Sequence, residues 1–131
     1  MSHVLNVGEI LTVNAQLHPD RVAVKDLQRS LTHAQLEERA NRLANAFAGL
    51  GLGKGDRVAI YAYNRLEWME IYAACAKSGV VAVPVNFRLS GPEVRAIVED
   101  CGAAVLLVDA ALVDVVASQR ATLPLRPSGY V

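Results

Sequence analysis

The run Gly49-Leu50-Gly51-Leu52-Gly53-Lys54-Gly55 combines glycines with a lysine, the residue types that cradle a phosphate. A loop of the G-x-x-x-x-G-K-[ST] kind needs its first glycine five positions before the second and a hydroxyl after the lysine. Here Ala48 stands at the first position and Gly55 at the last. A dinucleotide fingerprint fails as well, because Asp56 takes the place of the third glycine after Gly51 and Gly53. The run follows a helical pattern and precedes a strand, so it is read as a helix stop and turn. His3, His18 and His33 have no His, Cys or Asp partner at ligand spacing, and no metal site is expected. Ser78 lacks the G-x-S-x-G frame of a nucleophile elbow. Cys75 lies among apolar residues, which raise a thiol pKa and make it inert. Glu37-Glu38 and Glu99-Asp100 fall on solvated helix faces. No catalytic residue is assigned.

One segment carries a positive signal. Asn86-Phe87-Arg88-Leu89 sets an amide, a ring and a guanidinium in a short loop after an apolar strand. Open parallel sheets bind ligands outside the carboxyl ends of their strands. The end of the preceding strand, Tyr61 to Asn64, lies on the same side, with Tyr63 and Asn64 as its candidates, as does Asp109. The alternative is structural: Phe87 and Leu89 pin the loop to the body and Arg88 is solvated.

The elements that must position this loop read as alternating helices and strands. Asn6 can cap a first helix, with Glu9 as capping-box partner and Val7, Ile10, Leu11 and Leu17 on one face; His18-Pro19 ends it. Strands at 22–24 and 30–31 suggest a small hairpin around a turn at 26–29. Thr32 and Gln35 form a capping box ahead of the stripe Leu36, Ala40, Leu43, Phe47, Leu50. Strands are expected at 57–62, 80–85 and 104–108. Asn64 with Glu67, and Ser90 with Glu93, are read as caps of the helices between them; Asp109 is read as the cap of a last helix to about residue 118. Strand-helix-strand spacing of this kind predicts a three-layer α/β fold with a mostly parallel sheet and helices on both faces. The helix over 64–77 is apolar around most of its circumference, which points to burial on more than one side.

The chain has 131 residues, 53% hydrophobic and 20% charged, which excludes intrinsic disorder. Thirteen basic and thirteen acidic residues leave no net charge, and so no general pull toward nucleic acid or an anionic membrane. No apolar run approaches the ~20 residues that a bilayer demands, and no signal peptide is visible. Two cysteines, Cys75 and Cys101, outside any C-x-x-C pair, read as reduced thiols. Together these predict a cytoplasmic domain without nucleic-acid partners.

The stretches Leu31-Thr32-His33-Ala34-Gln35-Leu36, Arg39-Ala40-Asn41-Arg42-Leu43-Ala44 and Leu50-Gly51-Leu52-Gly53-Lys54-Gly55-Asp56-Arg57-Val58-Ala59-Ile60 occur in that order. Asn64-Arg65-Leu66-Glu67-Trp68 and Ala76-Lys77-Ser78-Gly79-Val80-Val81-Ala82-Val83-Pro84-Val85-Asn86 follow. The ordered set resembles the N-terminal part of the AMP-forming acyl-CoA synthetases, in the adenylate-forming superfamily. His33 departs from the aromatic residue usual in that family. Asn86 is similar to the fatty-acid or acetate-type CoA ligases, where peptide-synthetase domains more often carry Asp.

The resemblance implies a parent enzyme that converts acid, ATP and CoA to acyl-CoA, AMP and pyrophosphate, with Mg²⁺. It also implies that this segment is scaffold. The family's Ser/Thr/Gly-rich phosphate loop, ribose-binding aspartate and C-terminal catalytic lysine have no match here, so no catalytic role carries over and the 131-residue chain alone is expected to be inactive. Loops near the CoA and acyl tunnel make Asn86, Phe87 and Arg88 the substrate-side candidates. The implied partners are the rest of a ligase chain and a small carboxylic acid. Residues 1–131 are then one partial domain, with 119–131 an irregular tail. The alternative is a stand-alone, non-catalytic α/β module that binds a partner or forms a homodimer.

Overall fold

Local capping decides where several helices begin. In the computed structural model, which describes residues 6–131, the Asn6 side chain accepts the Gly8 N–H and opens α1, Val7–Leu17. Thr32 and Gln35 close a reciprocal capping box on α2, His33–Gly49. Ser90 and Glu93 do the same for α4, Gly91–Cys101. Each box satisfies backbone donors that a helix start leaves unpaired. The expectation for His3 lies outside the described residues.

The chain divides into two compact units. The first takes the chain up to Lys54 together with Arg65–Val80. It holds α1, the antiparallel hairpin β1 (Val22–Lys25) and β2 (Ser30–Thr32), α2, and α3 (Glu67–Ser78). Leu36, Ala40 and Phe47 of α2 and Ala73, Ala74 and Cys75 of α3 form its buried apolar set. The apolar face expected on α1 points outward: Val7 is 66% exposed and Leu17 67%. The helix buries Gly8 instead, where a Cβ would come within 3.0 Å of the Ala76–Lys77 backbone of α3.

Two further expectations in this unit are corrected. α3 does not start at Asn64; Leu66 is its cap residue, with no side-chain cap. Glu67 is not a capping-box partner, because its carboxylate is taken by two guanidinium groups. Arg29 donates to both its oxygens, at 2.6 and 3.0 Å, and Arg65 Nε donates at 2.8 Å. On α3, Met69 and Tyr72 remain 47% and 40% exposed, with Trp68 packed on Tyr72.

The second unit takes Gly55–Asn64 and Val81–Val131. Its sheet is all parallel in the order β4-β3-β5, built from β3 (Arg57–Tyr61), β4 (Val81–Val85) and β5 (Val105–Val108). Register runs unbroken from Arg57↔Val81 to Tyr61↔Val85, and from Val58↔Val105 to Tyr61↔Val108. Val58, Ala59, Ile60 and Tyr61 are fully buried, as a central parallel strand requires. Ala59, Tyr61, Val85, Leu106, and Val94 and Val98 of α4 form the main core cluster. The fold class is α/β with a parallel sheet, as read from the strand-helix alternation.

After β5 the expected single helix is broken. Asp109 caps a 3-10 turn (Ala110–Leu112), followed by a short α-helix (Val113–Val116) and a second 3-10 stretch (Ala117–Thr122). The tail that the sequence left without structure is bound to the sheet. The Leu106 N–H donates to the Gly129 carbonyl, the Val131 N–H to the Leu106 carbonyl, and the Val108 N–H to the Val131 carbonyl. These bonds make a single parallel bridge, Leu106↔Tyr130. A Cβ on Gly129 would stand 2.6 Å from the Ala104 carbonyl oxygen, so the close approach needs glycine there.

Candidate functional site

β3 and β4 run parallel, so their carboxyl ends open on one side of the sheet and bring 62–64 beside 86–89. The Asn86 side-chain oxygen accepts the Arg88 N–H at 3.0 Å, and its carbonyl accepts the Leu89 N–H at 3.1 Å. These two bonds wind 86–89 into an Asx-type turn. Phe87 and Leu89 pack against the core cluster beneath. The Tyr61 hydroxyl donates to the Leu89 carbonyl at 2.7 Å, with the Phe87 carbonyl at 3.2 Å. Burial, and then the neighbouring Tyr63, push the Tyr61 hydroxyl above its ordinary pKa, so it remains a donor.

Above this base lies a ring cluster. The Tyr63 and Phe87 ring centroids are 5.0 Å apart at 53°. The Arg88 guanidinium lies over Phe87, 5.6 Å from its centroid. Tyr63 is 43% exposed, and Arg88 is exposed. A tilted ring pair capped by a cation offers stacking surface and positive charge to a ligand, which suits a planar base or an anionic group. Of the sequence candidates, Tyr63, Phe87 and Arg88 come together. Asn86 is spent on the turn, and Asn64 is exposed in the connecting loop. Asp109 is committed to capping, its side chain accepting the Ala111 N–H at 3.0 Å.

Sequence reasoning placed Tyr61 at the strand end but missed that its hydroxyl holds the loop from below. Its signal was available: an aromatic hydroxyl ending the apolar strand Val58-Ala59-Ile60 must find a partner when buried. Cys75 is buried, and burial pushes its thiol up to about 11. Among the described residues, no group of three or more His, Cys, Asp or Glu side chains could hold a metal ion. No helix among them is long and apolar enough to cross a membrane.

The model of the AMP-binding enzyme family matches residues 11–128. The chain belongs to that family. It is similar to the fatty acid–(acyl-carrier-protein) ligase ScoC of Streptomyces coeruleorubidus, 44% identical over 96 residues that cover 73% of this chain and 18% of that protein. It is 37% identical over 118 residues to the long-chain-fatty-acid–CoA ligase FadD13 of Mycobacterium tuberculosis, covering 88% of this chain and 24% of that one. A solved Mycobacterium tuberculosis fatty acyl CoA synthetase superposes with a TM-score of 0.87 at 34% identity, over 96% of this chain and 26% of that one. The anthranilate CoA ligase AuaEII, in complex with anthranoyl-AMP, gives the same TM-score at 30% identity, over 95% and 24%. The chain thus spans only 18–24% of the curated relatives it matches here.

Proposed function

We propose that this chain forms the N-terminal scaffold of an ATP-dependent, AMP-forming carboxylic acid–CoA ligase of the fatty-acid type. The observation that carries the reading is the family match over residues 11–128. In the parent reaction, acid and ATP give an acyl-adenylate and pyrophosphate, and the CoA thiol then displaces AMP. Adenylation makes a poor leaving group into a good one.

We assign no ATP or Mg²⁺ contact to this chain, because its glycine run lacks phosphate-loop spacing. No adenylation step is derived through it. The contribution assigned to this chain is positional, with Tyr63, Phe87 and Arg88 forming one wall of the CoA-side cleft. The absence of net charge and the free cysteines suit a cytoplasmic protein.

ATP–pyrophosphate exchange over a panel of carboxylic acids tests the scaffold role. The chain alone should not exceed a heat-killed control, and turnover above it would overturn the reading. CoA titrated against the labelled chain should shift the amides of Tyr63, Phe87 and Arg88 first.

A second reading, a non-catalytic module that dimerises, is favoured by the exposure of Met69 and Tyr72 on α3. Light scattering separates the two, since a strictly monomeric chain removes that interface.

A further inference from the structure

β4 is the outer strand of the sheet, and β3 is its one strand partner among the described residues. In a parallel ladder each residue directs its N–H and C=O to the same neighbour, and successive residues alternate. The Val81 N–H donates to the Asp56 carbonyl at 2.8 Å. Val81, Val83 and Val85 therefore serve β3, and the backbone groups of Ala82 and Pro84 face away from it. Proline has no N–H. Within Val81–Val85 the outward edge thus presents the Ala82 N–H as its donor, beside the carbonyls of Ala82 and Pro84. Of the two outward residues, Pro84 is exposed and Ala82 is half-buried.

The composition of the strand makes this edge a hazard. Residues 80–85 read Val-Val-Ala-Val-Pro-Val, an uncharged, mostly β-branched run of the kind that pairs between chains. The usual safeguards for an edge are a lysine, a bulge or an inward charge. The strand has none of these: no residue of 81–85 is charged, and the register to β3 runs without a shift.

We infer that Pro84 guards the outward edge of β4 against pairing with the same edge of a second copy of this chain. Two β4 edges meeting antiparallel would each lack the N–H at position 84. Each would also set a prolyl ring where the facing carbonyl needs a donor. The ladder would lose hydrogen bonds on both copies.

The test pairs a variant with a measurement on the unaltered chain. Pro84→Val restores the donor and completes a β-branched strand. By sedimentation it should associate at a concentration lower by on the order of tenfold than the parent, as about one hydrogen bond gained per copy implies. Its Ala82 amide should become slow to exchange in the associated form. In the unaltered chain, the Ala82 amide should exchange on the order of a hundredfold faster than the Val83 amide, which is bonded to β3. This second measurement does not depend on how the variant folds. A Pro84→Val chain no more associated than the parent would overturn the inference. So would association that leaves the Ala82 amide unprotected, or an Ala82 amide as slow as Val83 in the parent.

Discussion

The Tyr61 hydroxyl lies 2.7 Å from the Leu89 carbonyl oxygen, a bond from the end of the central strand to the loop after its neighbour. Tyr61 is fully buried, so removing the hydroxyl strands a half-buried carbonyl. Tyr61→Phe should lower stability by ~1–2 kcal/mol, the cost of an unmet acceptor. Urea unfolding should show a lower midpoint with an unchanged slope. Exchange of the Arg88 and Leu89 amides should quicken, since the turn loses its anchor.

Arg88 is exposed and rests on Phe87. Arg88→Ala should leave stability within about 0.5 kcal/mol, as surface changes do. CoA-induced amide shifts at Phe87 should shrink several-fold. Unchanged shifts would remove Arg88 from the ligand wall.

Glu67 supplies a pH dependence with a definite sign. Its hydrogen bonds from Arg29, opposed by burial and helped by Arg65, hold its carboxyl down at about 2 against an ordinary 4.5. The folded chain thus keeps this group ionised where the unfolded chain protonates it. The stability it contributes is fully present above about pH 4.5 and is lost as pH falls toward 2. Melting temperature followed from pH 6 to pH 2 should fall less steeply in Glu67→Gln than in the parent. Equal slopes would assign the acid sensitivity to other carboxylates.

Lys77 is the ion-pair partner most costly to remove. Its ammonium donates to Glu37 Oε1 at 2.8 Å and to Thr12 Oγ1 at 3.0 Å, and the two charged side chains are only 12% and 16% exposed. Burial pushes the Glu37 carboxyl up, but Lys77 and Thr12 outweigh it and keep it below its ordinary value. Lys77→Met leaves that charge without a counterion and should cost ~2–4 kcal/mol. Adding Glu37→Leu should restore much of the loss. By contrast, Arg42→Ala breaks the exposed pair with Glu38 and should cost under about 0.5 kcal/mol. Chemical denaturation of the three variants checks the order.

Two glycines should answer oppositely to the same change. A Cβ at Gly91 would stand 2.6 Å from the Val115 carbonyl oxygen, whereas one at Gly49, the last residue of α2, meets nothing within 4 Å. Gly91→Ala should destabilise by ~1–3 kcal/mol, because α4 must shift from the segment it packs on. Gly49→Ala should stabilise by ~0.5–1 kcal/mol, since alanine loses less entropy in a helix. Thermal melts of the pair decide it.

The amino-acid sequence by itself determined the elements whose signals lie within a few residues. Thr32 with Gln35 and Ser90 with Glu93 are legible because a capping box spans a single helical turn. The apolar run of β3 is legible because a strand buried on both faces admits little else, and the runs of β4 and β5 share its apolar composition. The ordered motifs pointed to the family, and the loop at 86–89 was visible as a candidate site from its residue types.

Tertiary structure decided what depends on partners far along the chain. Glu67 reads as a cap locally, yet Arg29, 38 positions away, claims it, because a bidentate guanidinium outcompetes a helix N–H. The tail at 124–131 has no periodicity, yet its backbone completes the open edge of β5 at Leu106 and Val108, since ladder bonds need no side-chain pattern. The hold of Tyr61 on the 86–89 loop follows the same rule: a buried hydroxyl must find an acceptor, and only the folded chain decides which carbonyl is within reach.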